Sequence, residues 1–243
     1  TPLEQIGELV GLIRANSDVP ISLDTQGAQV RTGSLAGGRV TLKSDSVVEL
    51  VAALEEGDDT RVPLYPRSVL PQLTVGNLVS VDFDTVLLQV VEVGTTCRAR
   101  VLSSGAIGSN KAVSVIDCTV SLPPLTDVDL AAIEEGLRLG IGHVALSFAN
   151  RRSDVELLRG IVGDEVQIIA KVESRLGLAN LADILDGADA ILIDRGDLSR
   201  EVPLESLPFI QKEIIRRANE VQVPVYVATN LLESMVASRR PTR

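Results

Sequence analysis

Apolar and polar positions along this chain follow two different rhythms, and the rhythm changes twice. Near the start, Leu3, Ile6, Leu9, Val10 and Ile13 recur at helical spacing, and VPISLDT then reads as a buried strand ending at Asp24. From about Gly33 to Asp117 the texture is one of short alternating runs. RVTL, NLVSVDF, VLLQVVEV and CRARVL are separated by turns rich in Gly, Ser and Thr, which predicts a small β domain. After Pro123 helices and strands alternate again. DVDLAAIEEGLRLG, DVELLRGIV, LANLADIL and PLESLPFIQKEIIRRANEV read as helices, and HVALSF, EVQIIAKV, AILID and PVYVAT as the strands between them. Short connections between such units predict a parallel sheet.

Five strands can be named in this way, ending near Asp24, Ser147, Lys171, Asp194 and Thr229, and every one finishes in polar or charged residues. Strand ends meet water and are polar in many α/β proteins, so one such end means little by itself. The segment QIIAKVES (167–174) carries more, because an apolar run stops at Lys171 and places Glu173 two positions later, on the same side of an extended chain. Charges directly after a buried strand must be solvated, paired or bound, since isolated buried charges are costly. ILIDRGDLS repeats the arrangement with Asp194, Arg195, Gly196 and Asp197. Ligands of parallel α/β sheets sit at the carboxyl ends of the strands, so Asp24, Ser147, Lys171, Glu173, Asp197 and Thr229 are expected to converge on one metal or anion site.

Composition limits the setting. The chain has 243 residues, 45% of them apolar, which is enough for a large core. A net charge of −10 argues against non-specific nucleic-acid binding, and an anionic ligand would need a local positive group. Cys97 and Cys118 are too few for a disulfide framework or a zinc cluster, so a reducing, cytoplasmic setting is expected. No apolar run reaches the roughly 20 residues of a membrane span, and neither secretion nor membrane insertion is expected. His143, the one histidine, lacks a cysteine or carboxylate beside it and reads as structural.

Four segments, LDTQGAQVRTG, IIAKVES, DRGDLSREVP and VATNLLESMVASRRPTR, resemble the signature segments of the pyruvate kinase family in order and spacing. VGNLVSVDFDTVLLQVVEV and SSGAIGSNKAVSV resemble the small domain that the family inserts as a lid after a barrel strand. The resemblance implies an α/β fold, a partial (β/α)8 TIM barrel with an inserted small β-barrel lid. Barrel residues would be 1–33 and 118–243, with the lid at 34–117. The first two strands, the last strand and a C-terminal domain of the complete family fold would fall outside this chain. It also implies a magnesium-dependent phosphotransferase that moves phosphate between phosphoenolpyruvate and ADP, giving pyruvate and ATP.

On the same basis Glu173 and Asp197 would hold magnesium, and Lys171 would stabilise negative charge on the transferring phosphoryl group and the enolate. Gly196 and Asp197 would offer N–H groups to the substrate carboxylate, Ser147 would contact substrate, and Thr229 would orient a water near the carbon that is protonated. Asp24 and Thr25 would fall at a potassium site, and Arg31 and Lys111 would contact nucleotide phosphates. The protein is expected to be a homo-oligomer or to be completed by further polypeptide.

The chain departs from the family pattern at several points. Asp194 stands where the family usually has alanine, and its charge should repel an anionic substrate unless it pairs, for instance with Arg195, or points elsewhere. Asp82, Phe83 and Asp84 replace Asp-Asp-Gly, Gln26 to Gln29 replace Lys-Gly-Pro-Glu, and Ser114 to Asp117 replace Asn-Leu-Pro-Gly. Two alternatives follow: a metal-dependent enolate-forming lyase or aldolase of the phosphoenolpyruvate-utilising barrel group, or a non-catalytic pyruvate-kinase-like subunit.

Overall fold

The computed structural model describes residues 3–53, 55–82, 85–116, 118, 120–229 and 233–236. Phe83, Asp84, Asp117 and the stretches 230–232 and 237–243 of the last signature segment lie outside them. Contacts divide the chain into two compact units, Thr1–Ala28 with Pro123–Arg243, and Gln29–Leu122. The small unit therefore begins before residue 34 and ends after residue 117. The reason at its start is the strand Val30–Thr32, which hydrogen-bonds to Arg61–Tyr65 and Ala112–Val115.

The larger unit is built on a five-stranded parallel sheet whose order follows the chain: Ser22–Asp24, His143–Leu146, Gln167–Val172, Ala190–Asp194 and Val225–Ala228. Between the strands run helices with one apolar stripe. In Arg152–Val162 the buried positions are Val155, Leu158 and Val162, three and four residues apart, and Gly163 ends the helix with φ 76°. Asp127–Arg138 starts at a capping box in which Thr126 Oγ1 accepts from Asp129 N while Asp129 Oδ2 accepts from Thr126 N. The helix stripes close over Val144, Leu146, Ile168, Ala170, Val172, Ile191 and Ile193, which form one core. Such near-continuous apolar strands suit a parallel sheet.

Because side chains alternate along a strand, this core fixes which residues face the other way. The register pairs Asp24 with Ala145, Ala145 with Ile169, and Lys171 with Leu192. Asp24, Lys171 and Asp194 therefore share the sheet face opposite the helix core. The strands end at the same side, so the three charged residues are neighbours by topology before any side-chain contact is considered.

The small unit is a closed seven-stranded barrel in the order Ala112–Val115, Val30–Thr32, Arg61–Tyr65, Val47–Ala52, Cys97–Ser103, Val86–Val93, Leu78–Val81. Only Val47–Ala52 and Arg61–Tyr65 pair in parallel among these neighbours. Val86, Leu88 and Val90 point inward along one strand and Cys97, Ala99 and Val101 along its partner, an alternation that fills a small barrel. Arg39–Leu42 and Gly105–Gly108 form a separate two-stranded ribbon. The α/β sheet and the inserted barrel match the coarse architecture expected from sequence. Burial raises the pKa of the Cys97 thiol. Among the described residues, no helix is long and apolar enough to cross a membrane.

Ile168 is fully buried in the core of the larger unit. Replacing it by alanine should cost about 2–5 kcal/mol in a urea titration. Val47→Ala, on the surface of the small barrel, should change stability by less than about 0.5 kcal/mol in the same measurement.

Candidate functional site

Lys171 is the penultimate residue of the central strand and is only 7% exposed, so its ammonium must find partners inside the protein. It finds them on three other segments. Nζ donates to both oxygens of Asp24 at 3.2 Å and to Ser147 Oγ at 3.1 Å, and Ser147 Oγ donates onward to Asp24 Oδ1 at 3.1 Å. Glu173 Oε1 stands 3.2 Å from Nζ and Asp194 Oδ2 3.9 Å from it. Burial pulls the lysine pKa down, but Glu173 and Asp24 more than reverse this and hold it above its ordinary value. The lysine stays charged.

Glu173 is 1% exposed. Its Oε2 accepts the Phe148 N–H at 2.6 Å, and Phe148 presents that N–H from a left-handed backbone, φ 52°. Oε1 faces the Lys171 ammonium at 3.2 Å as an ion pair and takes no other donor among the described residues. Burial raises the Glu173 pKa to about 7; Lys171 and the Phe148 N–H oppose the rise, and Asp197 and Asp194 add to it. Burial wins because the carboxyl is almost wholly removed from water while the lysine is shared among several carboxylates.

The strand Ala190–Asp194 runs directly into the short helix Arg195–Glu201, and Asp194 caps it. Asp194 Oδ1 accepts from Gly196 N at 3.1 Å and from Thr229 Oγ1 at 3.2 Å. A Cβ on Gly196 would stand 3.2 Å from both oxygens, so a side chain there would crowd the site. Arg195 does not pair with Asp194. It is buried and donates instead to the carbonyls of Ala228 and Thr229, fixing a strand end at which Thr229 has φ 72°, strained for a β-branched residue. The cation beside Asp194 is Lys171. Asp197 pairs with Arg200 at 3.0 Å.

Glu173, Asp194 and Asp197 each offer one oxygen, and the three lie within 4.8 Å of one another. Ligand oxygens of an octahedral magnesium site stand about 3–4 Å apart, so a small inward movement suits these hard oxygen donors to such an ion. Glu173 Oε1 makes the same point, being a buried carboxylate oxygen whose sole cationic neighbour among the described residues, Lys171, is shared with Asp24 and Asp194.

All six strand-end residues singled out in the sequence are thus brought together. Thr25 is buried and its Oγ1 accepts the Ser147 N–H at 3.0 Å, so it orders the loop carrying Ser147. Arg31 and Lys111 belong to the small unit, on neighbouring paired segments. Arg31 Nη1 donates to Asn110 O at 3.2 Å, and Lys111 Nζ lies 3.8 Å from Asp82. His143 begins its strand and lines, with Arg14 and Asp18, a cleft of about 460 Å³ at the amino ends of the strands, away from the charged cluster.

Asp129 is a residue that sequence reasoning passed over. It is 2% exposed and accepts the N–H groups of Gln26 at 2.6 Å and Gly27 at 3.2 Å, tying the loop after Asp24 to a helix start. Gly27 is required there, because with φ 70° its Cβ would meet Ser147 O at 2.4 Å. The signal was the Thr126-x-x-Asp129 spacing ahead of an apolar helix.

Glu173 sets a pH dependence. Below about pH 4.5 its carboxyl is protonated in both folded and unfolded chains, and above about pH 7 it is ionised in both. Between these values the folded state binds the extra proton, so metal-free stability falls as pH rises. The loss attributable to this group should reach about 3 kcal/mol by pH 7. Urea titrations of the wild type and Glu173→Gln in chelator, at pH 4.5 and 7.5, measure it as the slope that the variant lacks.

A family model described as pyruvate kinase, barrel domain, matches residues 5–243. The chain is 37% identical over 243 residues to the pyruvate kinase of Geobacillus stearothermophilus, covering 95% of this chain and 40% of that protein. It is 34% identical to the pyruvate kinase of Clostridium acetobutylicum, covering 97% and 51%, and 37% identical to that of Mycobacterium intracellulare, covering 93% and 48%. The chain therefore spans 40% to 51% of the length of these relatives. With the family model running from residue 5 to the last residue, and relatives of this name aligned across more than nine-tenths of the sequence, the chain belongs to the pyruvate kinase family.

Proposed function

We propose that this chain forms the phosphoryl-transfer part of a magnesium-dependent enzyme that exchanges phosphate between phosphoenolpyruvate and ADP. The carrying observation is the buried Lys171 ammonium, set between Asp24, Ser147 and Glu173 at 3.1–3.2 Å beside three carboxylates that can share a cation. Phosphoryl transfer needs positioning and charge stabilisation more than covalent chemistry, and this constellation offers both. In this reading the five-stranded sheet is part of a (β/α)8 barrel and the small unit its lid.

Lys171 neutralises charge on the phosphoryl oxygens and on the enolate oxygen left after transfer. Its partners keep it protonated, so it works as a fixed positive charge and not as a base. The backbone N–H groups of Gly196 and Asp197 receive the substrate carboxylate, with Ser147 beside it, and Thr229 orients a water toward the carbon that becomes the methyl group of pyruvate. Glu173 and Asp197 hold magnesium, which when bound offsets negative charge on the substrate. Asp24 and Thr25 would carry potassium, and Arg31 and Lys111 would meet the nucleotide phosphates. A cytoplasmic setting and assembly with further copies or further polypeptide complete the proposal.

One observation favours a second reading, a non-catalytic relative. Asp194 Oδ1 already occupies the Gly196 N–H, assigned above to the substrate carboxylate, and the Thr229 hydroxyl, assigned to a water. Calorimetry separates the two readings, since magnesium-dependent binding of phosphoenolpyruvate without turnover is expected only for the second.

Lys171→Met should lower phosphate transfer from phosphoenolpyruvate to ADP by about 10²–10³-fold or more in the complete protein, measured as pyruvate release. Absence of transfer by the unaltered protein with every nucleoside diphosphate tested would sink the enzymatic reading.

A further inference from the structure

The family-type motif at the start of the Arg195–Glu201 helix differs in this chain by a carboxylate, Asp194, and the structure places that carboxylate within the cluster formed with Glu173 and Asp197. We propose that Asp194 is a third protein ligand of the divalent cation, so that this chain holds the ion without help from an anionic substrate. The inference rests on the metal-binding part of the function proposed above and deepens it.

Three observations carry it. First, Oδ1 of Asp194 is held by the Gly196 N–H and the Thr229 hydroxyl, which fixes the carboxylate plane and leaves Oδ2 on the side of Lys171, 3.9 Å from Nζ. A ligand oriented by hydrogen bonds through its other atom is the usual design of a metal site. Second, Glu173, itself 1% exposed, aims into the cluster an oxygen that is faced by the shared Lys171 ammonium at 3.2 Å and takes no other donor among the described residues. A buried carboxylate oxygen with so little donor support has capacity left to ligate a cation. Third, the charges do not balance. Among the described residues, Asp24, Glu173, Asp194 and Asp197 meet Lys171 and Arg200 within ion-pair distance, while Arg195 is committed to the carbonyls of Ala228 and Thr229. Carboxylates thus outnumber cations in the described cluster, and a divalent ion offsets the excess.

With two protein carboxylates, a magnesium-like ion relies on water and substrate for the rest of its shell. A third carboxylate raises affinity for the ion alone and lessens its dependence on substrate. It also occupies a position that a substrate oxygen would otherwise take, so the ion-loaded protein should bind small anions less tightly than its alanine variant.

Manganese is the probe, titrated into the full chain by electron paramagnetic resonance with no phosphoenolpyruvate or nucleotide present. The wild type should bind one ion, and Asp194→Ala should weaken that binding tenfold or more. Alanine is the residue the family motif usually carries there, so the variant should fold. Circular dichroism checks this, and Asp194→Asn provides a second variant should it not. A loss smaller than tenfold in a folded variant overturns Asp194 as a ligand, and together with a loss in Glu173→Gln leaves the two-carboxylate site standing. No manganese binding by the wild type at millimolar ion overturns both. Retained binding that Asp194→Ala abolishes, in a protein without phosphate transfer, supports the inference and rejects the kinase reading alone.

Discussion

A single buried ammonium organises the carboxyl end of the parallel sheet. Lys171 cannot remain charged among apolar neighbours without partners, and its partners come from the first strand, the loop after the second, and the ends of the third and fourth. Each contributes a polar group just where its apolar run ends. The contact of Lys171 with Asp24 joins residues 147 positions apart, across the whole of the inserted barrel in sequence. That contact adds little stability by itself, because Asp24 is largely exposed and water screens it. Its role is to fix where the charges stand.

Around this centre the polar groups are arranged in a second layer that holds the first. Phe148 N–H fixes Glu173, Gly196 N–H and the Thr229 hydroxyl fix Asp194, and Asp129 holds the loop that follows Asp24. Arg195, the most obvious cation near Asp194 in sequence, is spent on backbone carbonyls. The result is a site with an excess of negative charge beside one fixed positive group, suited to a divalent cation and an anion held together.

Much of this was legible in the sequence, for physical reasons that differ by region. The parallel strands announce themselves because apolar runs buried on both faces end abruptly in charge, as at Lys171 and Asp194. VLLQVVEV and CRARVL announce themselves by period-two burial. The strands Val30–Thr32, Val47–Ala52 and Arg61–Tyr65 did not, since the first has three residues, the second reads VVELVA without apolar–polar alternation, and the last contains Pro63. The predicted helix LANLADIL divides at Asn180 into Arg175–Ala179 and Leu181–Leu185, a break that periodicity does not register. Convergence of the site residues was visible from topology. The partner of Asp194 was not, because adjacency in sequence pointed to Arg195, whereas the register places Lys171 on the same sheet face.

Many of the hydrogen bonds that hold the cluster run through backbone N–H groups, those of Gln26, Gly27, Ser147, Phe148 and Gly196. Each of these amides donates to a side chain of the site or of its supporting layer, outside any strand ladder. Their shielding from solvent exchange therefore reports the integrity of the charged cluster separately from that of the sheet beneath it. The chain carries, in these amide protons, an internal gauge of whether its chemistry-bearing end is assembled, readable even when nothing is being catalysed.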